Sequence, residues 1–248
     1  MHTILGGKTL NKICDIHTHI LPNIDDGAYD IKMSIQMLCS AEKQGVNNIL
    51  CTAHSWGDMH KYFHNFQMLT KEIKKENINI NLYPGCEIYC NMDIIEDVVS
   101  ELQEGIIPTI NGTKYVLVEF NPNASTREIV SCVNYIHGRG YKTIIAHIER
   151  YPKLFIDYKW IVYLKTIGCL FQVNAYSLQD ETNHNIKNAA RMLLSEQLVS
   201  FIGSDAHTTT HRPYMITNGI DYIHETCDNE YINNILYKNA EYFLNIKR

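Results

Sequence analysis

The chain has 248 residues, 45% of them hydrophobic, and a formal net charge of −5 at pH 7. That length and apolar content suit one domain with a sizeable core, and fit a single α/β barrel. The acidic balance, with Lys71, Lys74 and Lys75 spread along one solvated helix, gives no polyanion-binding surface and counts against a nucleic-acid partner. No apolar signal-type segment occupies residues 1–12, and no run reaches the ~20 apolar residues of a membrane span. A cytoplasmic location without membrane insertion is therefore expected. An oligomer is compatible with the composition. The 8 cysteines show no zinc-ribbon spacing. In a reducing cytoplasm they read as small buried hydrophobes.

Residues 1–11 read as a polar, loosely held leader, and 12–248 as one domain. A first strand is expected over 12–17, ending in His17 and His19. Side chains two apart on a strand share a face, so this His-x-His presents two imidazoles to one point. The loop Leu21-Pro22-Asn23-Ile24-Asp25-Asp26-Gly27 follows. The spacing of Ile31, Ile35 and Leu38 predicts a helix over 30–45 with Gly45 as its stop. A second strand over 48–52 leads to His54. A charged helix is expected over 65–76, then a third strand over 78–86 delivering Glu87, and a helix over 91–104. Strand four, 115–118, delivers Glu119. Ser125 or Thr126 caps a helix to His137. Strand five, 143–146, delivers His147, and a helical stretch runs from Pro152 to about Thr166. Strand six, 169–173, delivers Asn174, and 180–196 is helical. Strand seven, 198–202, is followed by Gly203-Ser204-Asp205-Ala206-His207, and 214–247 reads as two helices.

Strands and helices thus alternate about seven times without a dividing linker. That predicts an α/β fold with a parallel sheet, most simply a closed or distorted barrel. Barrels of this kind gather their chemistry at the C-terminal strand ends. Here those ends carry His17, His19, His54, Glu87, Glu119, His147, Asn174, Asp205 and His207, and Asp25 or Asp26 joins from the first loop. All but Asn174 are good metal ligands, too many for one ion. Mixed imidazole and carboxylate donors without thiolate suit Mn²⁺, Fe or Zn²⁺. Neighbouring ions clamp a phosphate and make hydroxide near neutral pH, so phosphoester hydrolysis is the expected reaction. Arg150 and Arg212 supply the planar donors that bind phosphate oxygens. Glu149 lies beyond the strand end and is expected to orient Arg150. His2, His60, His64, His137, His184, His211 and His224 fall in the leader, helices or polar loops and are assigned no ligand role. No Gly-x-Ser-x-Gly elbow or Walker loop appears, and Cys132 lacks an arginine six residues on, since Gly138 stands there. Trp56, Phe63 and Tyr151 are candidates for the entrance to the site.

Taken in order, these motifs resemble the PHP (polymerase and histidinol phosphatase) superfamily. They are most similar to its bacterial metal-dependent protein-tyrosine phosphatases of capsule and exopolysaccharide operons, the CpsB/YwqE type. The resemblance rests on Asp15-Ile16-His17-Thr18-His19-Ile20-Leu21-Pro22 with Asp25-Asp26-Gly27, Thr52-Ala53-His54, Gly85-Cys86-Glu87-Ile88-Tyr89 and Val118-Glu119-Phe120. It continues through Ile145-Ala146-His147-Ile148-Glu149-Arg150-Tyr151, Gln172-Val173-Asn174, and Ser204-Asp205-Ala206-His207 with Arg212-Pro213. It implies a distorted seven-stranded β/α (TIM-like) barrel holding two or three divalent ions, usually Mn²⁺. It places His17, His19, Asp26, His54, Glu87, Glu119, His147, Asp205 and His207 on those ions, choosing Asp26 over Asp25. It gives Arg150 and Arg212 the phosphate, and phosphotyrosine on a membrane-associated bacterial tyrosine kinase as the substrate. Metal-bound hydroxide attacks phosphorus, with Asp205 or His207 handling the leaving-group proton. A small-molecule phosphatase, acting for example on histidinol phosphate, is the alternative. A non-catalytic PHP-like binding module or a nuclease-type module ranks lower. The leader ahead of His17 is longer than this family leads one to expect.

Overall fold

A computed structural model describes residues 12–246 and, within the leader, the backbone of β1 (Ile4–Leu5) and β2 (Lys8–Thr9), which pair antiparallel. The expectation of a loosely held leader otherwise lies outside the described residues. The core strands are β3 (Ile13–Thr18), β4 (Val46–Cys51), β5 (Asn81–Pro84), β6 (Glu87–Tyr89), β7 (Tyr115–Glu119), β8 (Lys142–Ile145), β9 (Leu170–Asn174) and β10 (Phe201–Gly203). They form two all-parallel sheets, β3-β4-β5 and β6-β7-β8-β9-β10. Single bridges join the sheets at both seams, Thr18 to Ala206 and His54 to Glu87. The Asp205 N–H donates to the His17 carbonyl at 2.8 Å across one seam, and the Ser55 N–H to the Glu87 carbonyl at 2.9 Å across the other. Parallel neighbours need long crossovers, and helices supply them here.

The expected seven continuous strands are eight shorter ones in two sheets. The difference lies at the third strand, which breaks at Gly85-Cys86. A Cβ on Gly85 would come within 2.7 Å of Ile110 Cδ1. The Gly85 N–H leaves the ladder for the Tyr62 hydroxyl at 2.9 Å.

Helices α1 (Ile31–Lys43), α2 (Met59–Lys75), α3 (Ile95–Glu104), α4 (Thr126–Gly138), α5 (Pro152–Phe155), α6 (Lys159–Thr166), α7 (His184–Ser195), α8 (Thr217–Thr226), α9 (Asn229–Asn233) and α10 (Asn239–Leu244) complete the order, with one π turn joining the last two. Local chemistry explains their ends. Asp30 caps α1 by accepting the Met33 N–H at 2.7 Å, and Ser125 caps α4 by accepting that of Glu128 at 3.1 Å. Several boundaries differ from expectation: β5 starts at Asn81 rather than 78, α7 at His184 rather than 180, β10 is Phe201–Gly203 rather than 198–202, and three helical stretches also shift. Helix α2 starts at Met59 rather than 65, because Met59, Tyr62, Leu69 and Ile73 already form its buried stripe. Helix α3 starts late because the Asn91 side chain accepts the N–H groups of Asp93 and Ile94 in a turn of its own. The stretch 152–166 divides into α5 and α6.

Strand side chains alternate between two buried clusters, as strands covered on both faces require. Cys14, Ile16, Leu50, Leu117, Ile144 and Phe201 pack together with Tyr237, Leu244 and Ile246 from the C-terminal helices. Their neighbours Ile13, Ile49, Val116, Ile145 and Ile202 pack against the helices. Leu117 and Glu119 are two apart, so the strand face that ends in Glu119 is apolar one step earlier. All 8 cysteines are free, six of them buried, and burial pushes thiols such as Cys51 and Cys86 up. They behave as the small hydrophobes expected.

Candidate metal centre

All nine ligand-type residues expected from the sequence, with Asp26 as the loop carboxylate, meet at the C-terminal strand ends. Glu87, from the start of β6, stands in the middle. Its Oε2 lies 3.1 Å from the Nε2 atoms of both His17 and His19 and 3.2 Å from His54 Nδ1. Its Oε1 lies 2.8 Å from His147 Nε2. Asp205 Oδ1 sits 3.6 and 3.5 Å from the Nε2 atoms of His17 and His19. Glu119 Oε1 is 3.0 Å from His54 Nδ1. Asp26 Oδ1 is 3.6 Å from His54 Nε2 and 3.5 Å from His207 Nε2. Three overlapping donor groups result: His19-Asp26-His54-His207, His17-His19-Glu87-Asp205 and His54-Glu87-Glu119.

An outer layer aims these donors. Asp25 does not face the cluster. Its Oδ2 holds His19 Nδ1 at 2.7 Å and accepts the His54 N–H at 2.8 Å, while its Oδ1 accepts the Gly27 N–H at 2.9 Å. The structure therefore separates the two loop carboxylates. Gly27 is required where it stands, since a Cβ there would lie 2.1 Å from the His19 carbonyl oxygen. Gln172 Oε1 holds His17 Nδ1 at 3.0 Å and accepts the His147 N–H at 2.7 Å. The Tyr151 hydroxyl lies 3.3 Å from His147 Nδ1, and the Asp205 carbonyl 2.9 Å from His207 Nδ1. Asn174, the strand-end residue set apart from the ligands, donates to Asp205 Oδ2 at 3.0 Å. Histidines whose second nitrogen is held in this way are oriented for metal binding.

The donor set fits divalent ions on its own chemistry. Among the described residues His207 Nε2 is buried without a hydrogen-bond partner, and His54 Nδ1, though close to the Glu87 and Glu119 carboxylates, makes no hydrogen bond to them, an arrangement that costs free energy unless something else engages them. The Nε2 atoms of His17 and His19 face each other at 3.3 Å. Burial pushes both imidazoles down, but the charges of Glu87 and Asp205 at His17, and of Asp25 at His19, reverse this and hold both above their ordinary value. Glu87 and Asp205 are raised by burial yet end well below the carboxylate range, because the histidines oppose it. His207, desolvated and facing His19, is pushed down to about 2, so it stays a neutral donor. His147 (φ 30°), Asp205 (φ 53°) and Arg212 (φ 50°) occupy left-handed backbone. Such strain, about 1–3 kcal/mol per residue, gathers where a site fixes the chain.

The arginines stand at the rim. Arg150 Nη2 bonds Asp205 Oδ2 at 2.9 Å and also the Tyr176 hydroxyl. Arg212 lies 3.5 Å from Asp205 Oδ1 and 3.4 Å from Asp26 Oδ2. Glu149 acts on Arg150 through its charge, while the bonds that hold Arg150 come from Asp205 and Tyr176. Glu149 itself is buried and accepts the Asn174 N–H at 3.0 Å. Of the entrance candidates, Trp56 is exposed and stacks on His54 with centroids 4.7 Å apart. Phe63 is exposed on α2, edge-on to Tyr62. Tyr151 is buried behind His147 and lines no entrance. The sequence motif Gln172-Val173-Asn174 assigns Gln172 no role of its own, and nothing in the sequence marks Tyr176. Gln172 sits two before Asn174 on one strand face, which is the signal that could have found it.

Replacing Asp25 with Asn removes the charge behind His19 while keeping the volume. Divalent-metal affinity, measured by chelator competition, is expected to fall about 10–100-fold, the usual cost of losing such an outer partner. Unchanged affinity would show that Asp25 serves only the loop.

Parallel strands that carry imidazoles and carboxylates to one end, with two arginines beside them, define an α/β protein with a candidate multi-metal centre. The model of the capsular polysaccharide synthesis CpsB/CapC family matches residues 13–245, and the chain belongs to that family. It is 32% identical over 219 residues to tyrosine-protein phosphatase CpsB of Streptococcus pneumoniae, covering 84% of this chain and 88% of that one. It is 30% identical over 235 residues to tyrosine-protein phosphatase YwqE of Bacillus subtilis (strain 168), covering 93% and 91%. Among solved structures, that of YwqE from Bacillus subtilis and CpsB from Streptococcus pneumoniae, described as unique metal-dependent tyrosine phosphatases, matches with a TM-score of 0.82 at 28% identity. It covers 95% of this chain and 96% of that chain. No helix among the described residues is long and apolar enough to cross a membrane.

Proposed function

We propose that the chain is a metal-dependent protein-tyrosine phosphatase that hydrolyses phosphotyrosine on a bacterial tyrosine kinase regulating capsular or exopolysaccharide synthesis. One observation carries this most: nine donors from strand ends and the first loop meet around Glu87 with two arginines at the rim, in a chain whose relatives are tyrosine-protein phosphatases. The residues holding the metals are His17, His19, Asp26, His54, Glu87, Glu119, His147, Asp205 and His207. The three overlapping donor groups suit two or three ions, with Mn²⁺ first and Fe or Zn²⁺ as the alternatives. Divalent ions in such a site supply Lewis acidity and activate water near neutral pH.

The chain's own residues do the rest. Arg150 and Arg212 bind the phosphoryl oxygens and complement the charge that develops on them. Asp205, held by Arg150 and Asn174, keeps the arginines aimed at the cluster. Asp205 or His207 handles the proton of the leaving group, and because phenolate leaves readily no strong acid is needed. The protein acts in the cytoplasm as one domain over 12–248, with β5 and β6 serving as one broken strand of a distorted seven-stranded barrel.

The experiment is a comparison of kcat/KM on a tyrosine-phosphorylated peptide and on histidinol phosphate, with Mn²⁺ present. Turnover of the peptide well above histidinol phosphate is the expected result. Preference for histidinol phosphate would keep the centre and move the substrate to a small molecule, and turnover of neither would contradict the proposal.

A further inference from the structure

Beside the arginines lies a cavity of about 640 Å³, within the ~300–1,000 Å³ range of ligand sites. Its walls come from the segments after β7, β8 and β9 and from α7. They therefore lie on the face of the sheet where the donor cluster sits. Arg150 lines the cavity and also bonds Asp205 at 2.9 Å, so the cavity and the cluster share a wall.

The wall chemistry is specific. Phe155, Ile156, Ile186 and Met192 make an apolar surface, and Ile156 is 83% exposed, with nothing among the described residues covering it. Asparagines interleave with them, among them Asn123 and Asn188. Each offers both a donor and an acceptor, as a peptide main chain requires. Glu149, 2% exposed, lines the same cavity, and its Oε2 has no hydrogen-bond partner among the described residues. No lysine lines the cavity, and its one cation, Arg150, is engaged by Asp205 and Tyr176. An acidic segment would have to compete with the phosphoryl group for Arg150, whereas an apolar one would find matching surface and amides for its backbone.

We infer that this cavity is a peptide subsite that holds an apolar residue close in sequence to the phosphotyrosine, with its main chain bonded by the asparagines. The inference rests on the tyrosine phosphatase proposal and adds to it a substrate sequence preference set by this wall. An apolar contact of this kind discriminates by about 10–200-fold.

The test uses the Mn²⁺-loaded full chain and a set of phosphotyrosyl peptides in which each position flanking the phosphotyrosine is Leu or Asp, with free phosphotyrosine alongside. Leu is expected to exceed Asp in kcat/KM by about tenfold or more at one flanking position, and every peptide with Leu there to exceed free phosphotyrosine. The Ile156→Asp variant, altered at an exposed position, is expected to lose most of that Leu-over-Asp ratio, and Asn188→Ala to raise KM for peptides while the ratio persists. Equal kcat/KM for all peptides and free phosphotyrosine would overturn the subsite while leaving the phosphatase proposal intact. So would a Leu preference untouched by Ile156→Asp. No turnover of free phosphotyrosine or of any peptide would overturn the phosphatase proposal itself, and the subsite with it.

Discussion

Glu87→Gln is expected to abolish phosphate release. The Glu87 carboxylate is within 3.2 Å of four imidazoles and belongs to two of the three donor groups, so its charge serves the whole centre. Glutamine keeps the size and one acceptor but loses the negative charge, and its amide points donors where donors must not be. The lost contribution is several kcal/mol of charge stabilisation, which amounts to ~10³-fold or more in rate. Steady-state assay at saturating Mn²⁺, with the metal content of the purified variant measured alongside, checks this. Full metal-dependent turnover by Glu87→Gln would remove Glu87 from the centre.

Arg150→Ala comes second, with an expected loss of about 10²–10³-fold in kcat/KM, the usual effect of deleting one preorganised donor to developing charge. The loss has two parts. One is the direct contact with phosphate, and the other is the hold on Asp205 Oδ2, for which Asn174 remains, with the longer Arg212, His17 and His19 contacts on Oδ1. Arg150→Lys separates them. It restores a charge but not the planar guanidinium, whose Nη2 bonds both Asp205 and Tyr176 and leaves its other donors for phosphate, so a recovery of only part of the rate is expected. Wild-type kcat/KM in Arg150→Ala on a phosphotyrosyl peptide would leave the arginine as a structural ion pair.

Most of this site is legible in the sequence because strand ends are legible. A short apolar run followed by His, Glu or Asp fixes both the end of a strand and the side chain delivered there, as at Val118-Glu119 and Ile145-Ala146-His147. The spacing in His17-Thr18-His19 fixes a shared face, and the two Nε2 atoms meet at 3.3 Å. What the sequence hides is contact between distant segments. Gln172 serves His17 across 155 positions; its shared strand face with Asn174 points it toward the site, but only the folded chain shows which imidazole it aims. Asp25 and Asp26 are adjacent carboxylates with opposite duties, separated by how the loop folds over His19. The split of the third strand was hidden for the same reason, since Gly85 leaves the ladder to meet Tyr62 and Ile110, both remote in sequence. Tyr151 departs from the entrance expected of it because an aromatic six residues past the end of β8 can turn in as readily as out, and here its hydroxyl is used at His147 Nδ1 and at the Phe120 N–H.

The central claim is that one centre, built from these nine residues, makes the chain a phosphotyrosine hydrolase. The direct measurement strips the protein of metal and returns Mn²⁺ stepwise, following bound metal and phosphate release from a phosphotyrosyl peptide on the same samples. Release is expected to be absent in the stripped protein, to rise with bound Mn²⁺ and to level off at two or three ions per chain. Equal release from the stripped and reloaded protein, or no release at any metal content, would contradict it.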